Sequence, residues 1–138
     1  MTRAIGVISL ACASAMVFGV ITADAAKAGE QLIKRTELLR ADLAGISGRE
    51  AVIYIADLMP AAAGGKHTHY GNEFVYIIEG SLVISPDGRD SVTLKAGEAA
   101  HLAPDIVHAA RNGSNSEAAK VLVVLTVEKG KPLAEPAK

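Results

Sequence analysis

From Glu50 onward the chain is a succession of short runs rich in β-branched residues, AVIYIADLM, EFVYIIEG, SLVIS, SVTLK and KVLVVLTV, divided by Gly, Pro, Asp and Asn. Runs of this length between turn formers are strand signals, and many of them in close succession make a sandwich or a barrel. Pro86-Asp87-Gly88 predicts a hairpin turn and Lys95-Ala96-Gly97-Glu98 a second tight bend. No stretch of ten or more residues after Leu43 carries a helical period, and neither a G-x-G-x-x-G segment nor a Walker loop is present. Doubly wound α/β nucleotide-binding folds are thereby disfavoured. The expectation is one all-β domain, a single β-barrel, since 138 residues leave room for one core. Half of the residues are apolar, but with two Phe, three Tyr and no Trp the core must be built from Val, Ile, Leu and Ala. With 14 basic and 15 acidic residues, and no long block of either sign, nothing points to a nucleic-acid partner.

The first 25 residues have a different character. Arg3 precedes the stretch Ala4 to Ile21, which holds no charge, and Ala23-Asp24-Ala25 fits the small-x-small pattern of signal-peptide cleavage, with Ala26-Lys27-Ala28 as a second site. Residues 1–25 are therefore expected to be a signal peptide, and the protein periplasmic or secreted, with no membrane attachment after cleavage. The alternative is an uncleaved inner-membrane anchor, because the uncharged stretch approaches the ~20 residues that cross a bilayer. A lipoprotein signal at Cys12 fits poorly, since the apolar stretch runs on well past it. Cys12 is the single cysteine, so cleavage leaves neither a thiolate nor a disulfide. Residues 26–48 are read as an N-terminal arm, within which Glu30 to Leu43 is a short helix or a lead into the first strand. Residues 49–128 form the barrel, and 129–138 an irregular tail without chemistry.

The segment GGKHTHYGNEFVYIIEG is the most informative for function. His67 and His69 are two apart, so a strand presents both imidazoles on one face. Tyr70-Gly71-Asn72 lets the chain turn, and Glu73 opens the next strand, where its carboxylate can meet the same ion. His108 is the candidate fourth ligand. Three imidazoles and a carboxylate suit one divalent transition metal, Fe, Mn, Ni, Cu or Zn, rather than Mg or Ca.

At these residues the chain resembles the cupin family, in particular its small single-domain, quercetin-dioxygenase-like members. The family's first motif, G-x5-H-x-H-x3-E-x6-G, is met in register by His67, His69, Glu73 and Gly80, and its second, G-x5-P-x-G-x2-H-x3-N, by Gly97, His108 and Asn112. Three positions depart: Ala61 replaces the leading glycine, Ala103 the proline and Asp105 the glycine of the second motif, with Pro104 one place beyond. The resemblance implies a jelly-roll barrel with metal held inside by His67, His69, Glu73 and His108. It further implies a small-molecule substrate at the mouth, dioxygenase-like oxidation as one chemistry and a homodimer as one assembly. A non-catalytic metal- or ligand-binding protein is the alternative. No catalytic residue beyond the ligands is assigned.

Other residues carry plainer readings. His101 is expected to be structural or exposed. Arg111 falls on the strand face opposite His108, and Asn112 ends the strand or bonds a turn. Tyr54, Tyr76, Phe74 and Met59 are expected in the core or an interface.

Overall fold

The computed structural model describes residues 28–29 and 31–137. The expected signal peptide, residues 1–25, and Cys12 lie outside the described residues. Among those described, no helix is long and apolar enough to cross a membrane.

The named elements are ten strands: β1 (Ile33–Asp42), β2 (Arg49–Leu58), β3 (His67–Thr68), β4 (Gly71–Glu79), β5 (Ser81–Pro86), β6 (Val92–Lys95), β7 (Ala99–Leu102), β8 (His108–Asn112), β9 (Ala119–Glu128) and β10 (Glu135–Pro136). They form two five-stranded antiparallel sheets, in the orders β1-β2-β9-β4-β7 and β10-β3-β8-β5-β6. The expected all-β domain is present, but the barrel is not closed. No hydrogen-bonded ladder joins the two sheets. The physical reason lies at the crossings: β3 and β10 are two residues long, and the chain passes from β2 to β3 through an irregular segment instead of a continuous bent strand. What results is two layers face to face, with edges left open.

Burial alternates along the two long central strands, although their sequences are apolar on both faces. Along β2 every second residue from Glu50 to Leu58 is buried, and along β9 every second residue from Ala119 to Val127. These strands pair in unbroken register, Arg49 with Glu128 through Leu58 with Ala119. Val52, Ala56, Leu58, Val75, Ile77, Val121, Val123, Leu125 and Val127 fill the space between the sheets with Leu82, Ile84 and Leu94 from the opposite layer. The core is aliphatic, as the composition requires. Phe74 and Tyr76, expected in the core or an interface, stand on the outer face of β4, 44% and 46% exposed, and Met59 is exposed as well. Of that group Tyr54 alone is in the core, because in β4 the inward positions belong to Glu73, Val75 and Ile77.

Two glycines are dictated by close approach and turn. A Cβ on Gly71 would come within 1.9 Å of the Thr126 carbonyl oxygen, so only glycine lets β4 lie this close to β9 where it starts. Gly80 makes the β4–β5 turn at φ +74.

Within Glu30 to Leu43, where helix and arm were both open, the chain forms β1. Its partner is β2, in the register Ile33 with Leu58, Arg35 with Ala56 and Glu37 with Tyr54, before a bulge between Glu37 and Leu39. The tail, expected to be irregular, adds β10 beside β3, with Glu135 opposite Thr68 and Pro136 opposite His67.

Candidate metal centre

The histidines meet between the sheets for reasons of register. His67 on β3 lies directly opposite His108 on β8. His69 follows one residue beyond the end of β3, and the ring centroids are 4.4 Å (His67–His108), 4.9 Å (His67–His69) and 5.3 Å (His69–His108) apart. One nitrogen from each imidazole lies within 4.8 Å of the others, a group that can hold a metal ion. Glu73 arrives from the other layer, since β4 belongs to the sheet of β9 and β7. It is therefore not a neighbour on the same sheet, as the expected turn into an adjacent strand suggested. Its Oε2 lies 3.3 Å from His69 Nε2 and 3.1 Å from His108 Nε2.

Tautomers follow from the backbone. His67 Nδ1 is 2.9 Å from the Gly65 carbonyl oxygen, His108 Nδ1 is 3.0 Å from that of Ile106, and His69 Nδ1 is bonded to that of Leu133. A carbonyl oxygen only accepts, so each Nδ1 donates, and in a neutral ring the Nε2 is left with a lone pair. For His69 and His108 that lone pair faces the Glu73 carboxylate. His69 Nε2 and Glu73 Oε2 are both buried without a hydrogen-bond partner. Buried acceptors placed against one another repel unless a cation lies between them. The donor set thus fits a divalent transition ion. Carbonyl acceptors behind metal-binding imidazoles are the usual outer support that holds a ring in place.

Without an ion, a proton on the imidazole takes the cation's place against the carboxylate, and the shifts have that sign. Burial opposes the charge on Glu73, but the imidazoles of His108 and His69 outweigh it and hold the carboxyl at about 2. Burial likewise disfavours protonation of His69, and the Glu73 carboxylate more than reverses it, so the ring is raised above its ordinary value. Burial sets His67 below its ordinary value, helped by the neighbouring His108 and His69.

A partly open cavity of about 60 Å3 adjoins the cluster, lined by His67, Glu73 and His108 together with Arg35, Tyr54 and aliphatic side chains of both layers. A second space of about 200 Å3, bounded by Arg35, Tyr54, His67, His69, Leu133 and Ala134, shares Arg35, Tyr54 and His67 with it. Burial pushes the Tyr54 hydroxyl up to about 12, the Glu73 charge adds to this, and Arg35 beside it acts in the opposite direction. Sequence reasoning did not reach Arg35, Tyr54 or Leu133 as parts of the site. Tyr54 was expected in the core or an interface as one of the few large side chains, and that expectation says nothing of a cavity beside it. Arg35 depends on how β1 pairs, and Leu133 contributes a backbone oxygen, for which no side-chain signal exists.

The remaining expectations are answered directly. His101 lies exposed on β7, stacked on Phe74 with centroids 4.8 Å apart, and bonded through Nε2 to Asn72 Oδ1 at 2.9 Å. It takes no part in the cluster. Arg111 is exposed, and Asn112, 1% exposed, spans the turns as expected: its Nδ2 donates to the carbonyls of Leu58, Met59 and Glu117, and its Oδ1 accepts from Ser114 N–H.

Comparison with known proteins agrees with this architecture. A cupin-like protein from Thermotoga maritima superposes with a TM-score of 0.64 at 21% identity, over 76% of this chain and 75% of that one. The polyketide cyclase RemF from Streptomyces resistomycificus gives 0.62 at 20% identity, over 80% and 74%. The DMSP lyase DddQ from Ruegeria pomeroyi gives 0.61 at 16% identity over 76% of this chain, which spans about half (51%) of the lyase. At these identities the likeness is one of fold. No curated protein matches the sequence. The cupin domain profile matches residues 54–125, a span that opens at Tyr54, contains the three clustered histidines and Glu73 and ends on β9; the chain belongs to the cupin family.

Proposed function

We propose that this protein is a metal-dependent cupin acting on a small molecule outside the cytoplasm, with His67, His69, Glu73 and His108 as the ligands of one divalent transition ion. The observation that carries the reading is the convergence of imidazole Nε2 atoms on a buried carboxylate oxygen, each Nδ1 being committed to a backbone carbonyl. Bound there, the ion supplies Lewis acidity toward a substrate oxygen and, if redox-active, dioxygenase-like oxidation. The chain's own residues do the rest. Ala56, Leu58, Val75, Leu82 and Ile84 keep the inner cavity apolar, so polar contacts gain strength there. Tyr54, protonated at neutral pH, can offer an O–H at the cavity's edge. The polyketide cyclase and the DMSP lyase among the structural relatives support a catalytic use of such a scaffold.

The small cavity volume favours one other reading, a non-catalytic protein that retains the metal or a ligand of a few atoms. Metal analysis of protein purified without a histidine tag, followed by activity screening with Fe(II), Mn(II), Ni(II) and Zn(II), tests both. Near-stoichiometric metal and turnover that depends on its identity support the enzyme. Metal without turnover under any ion supports the binding protein. His67→Ala and His108→Ala are expected to abolish metal retention, and either variant keeping wild-type metal content overturns the four-ligand site.

A further inference from the structure

Arg35 stands opposite Ala56 on β2, and directly paired residues share a sheet face. Its side chain therefore lies on the inner side with Tyr54 and Ala56. There it lines the partly open cavity with His67, Glu73 and His108, the space over His67 and His69, and a third space beside Gly64, Gly65 and Lys66. Arg40 holds both Glu37 and Glu50, and Lys66 holds Asp87. Among the described residues Arg35 has no carboxylate within ion-pair distance.

A guanidinium without an anion, beside a pocket lined largely by aliphatic side chains, is a recognition element. Its planar fork matches a carboxylate in two parallel hydrogen bonds, and Arg35, exposed at the sheet edge, is open to a ligand arriving from solvent. We infer that Arg35 determines specificity by binding the free carboxylate of a small organic acid whose other end reaches the histidine cluster, with the Tyr54 hydroxyl placed to donate to the same ligand. The space of about 60 Å3 beside the cluster admits only a few atoms, so the acid is short, and its charged end stays beside Arg35. This inference rests on the metal-centre reading, because the cluster supplies the second anchor.

The test is calorimetric titration of malonate, and of its uncharged diamide, into the metal-loaded full chain, with metal content measured in the same samples. Wild-type protein is expected to prefer malonate. Arg35→Met is expected to keep its metal and its thermal transition but to bind malonate at least about tenfold more weakly, the loss of a charged hydrogen-bond pair. Arg35→Lys should recover part of the affinity, and diamide binding should not change. Unaltered malonate affinity in Arg35→Met, an equal loss for the diamide, or loss of metal from that variant overturns the inference while the metal centre stands in wild type. Wild-type protein that holds no metal overturns the metal centre and this inference together, and metal content tells the two failures apart.

Discussion

Two residues that depart from the family's motifs sit where the backbone is left-handed: Ala61 at φ 61 and Asp105 at φ 62. At both the motif has glycine, which takes this conformation without steric cost, whereas another residue pays roughly 1–2 kcal/mol. The chain keeps the turns regardless. Ala61 N–H donates to Ser114 O at 3.0 Å, and Asp105 N–H to His69 O at 3.2 Å, which ties the loop before His108 to the ligand strand. Set against the extra freedom glycine has when unfolded, about 0.4–1 kcal/mol, Ala61→Gly should stabilise by about 0.5–1 kcal/mol. Asp105→Gly should gain less, because Asp tolerates the left-handed region better. Denaturant unfolding of the two variants checks both. Asn112 predicts the opposite sign. Its amide serves three carbonyls and accepts one N–H, so Asn112→Ala should cost about 2–4 kcal/mol, measured as a lower unfolding midpoint, with the histidine ligands themselves untouched.

At the scale of elements, β3 is the least self-sufficient piece of the fold and carries the most chemistry. It has two residues, held between β8 and β10. The tail contributes β10 and, two residues earlier, the Leu133 carbonyl that receives His69 Nδ1–H. Ending the chain at Lys131 should therefore lower metal affinity by about 10–100-fold, the usual effect of removing a ligand's outer support, while β2, β9 and β4 still form. Metal content by mass spectrometry, with far-ultraviolet circular dichroism on the same sample, reads both parts of that outcome. The signals for β2, β4, β5 and β9 were legible because each is a run rich in β-branched and apolar residues bounded by turn formers. Those for β1 and β10 were not. β1 lies at a sheet edge with almost every residue exposed, so no buried face marks it, and β10 is created by its neighbour.

For the molecule as a whole, Glu73 links the site to stability. Its folded pKa, about 2, lies below the ordinary 4.5. A depressed carboxyl contributes stability that is fully present above the unfolded value and is lost as pH falls through the folded one. In chelator-treated protein the difference in unfolding free energy between wild type and Glu73→Gln should therefore be greatest between about pH 5 and 6, shrink between about 4.5 and 2 as Glu73 takes up its proton, and shrink again above about 6.5 as His69, raised by the same carboxylate, gives up its own. A difference that stays constant down to pH 2 would show that Glu73 gains nothing from its histidine neighbours. Adding metal at neutral pH should raise the transition of wild type alone, since binding to the native state stabilises by mass action.

The sequence by itself determined the all-β class and the aliphatic core and singled out His67, His69, Glu73 and His108 as candidate ligands, because strand runs, turn chemistry and ligand spacing are local properties readable along the chain. Only the tertiary structure decided that Glu73 comes from the opposite layer and that the two sheets stay unclosed. It also decided that backbone carbonyls as distant as Leu133 set the imidazole tautomers, and that Arg35 overlooks the site. Each of these depends on which strands lie beside one another, and strand pairing joins residues far apart in the chain through backbone groups that all residues share.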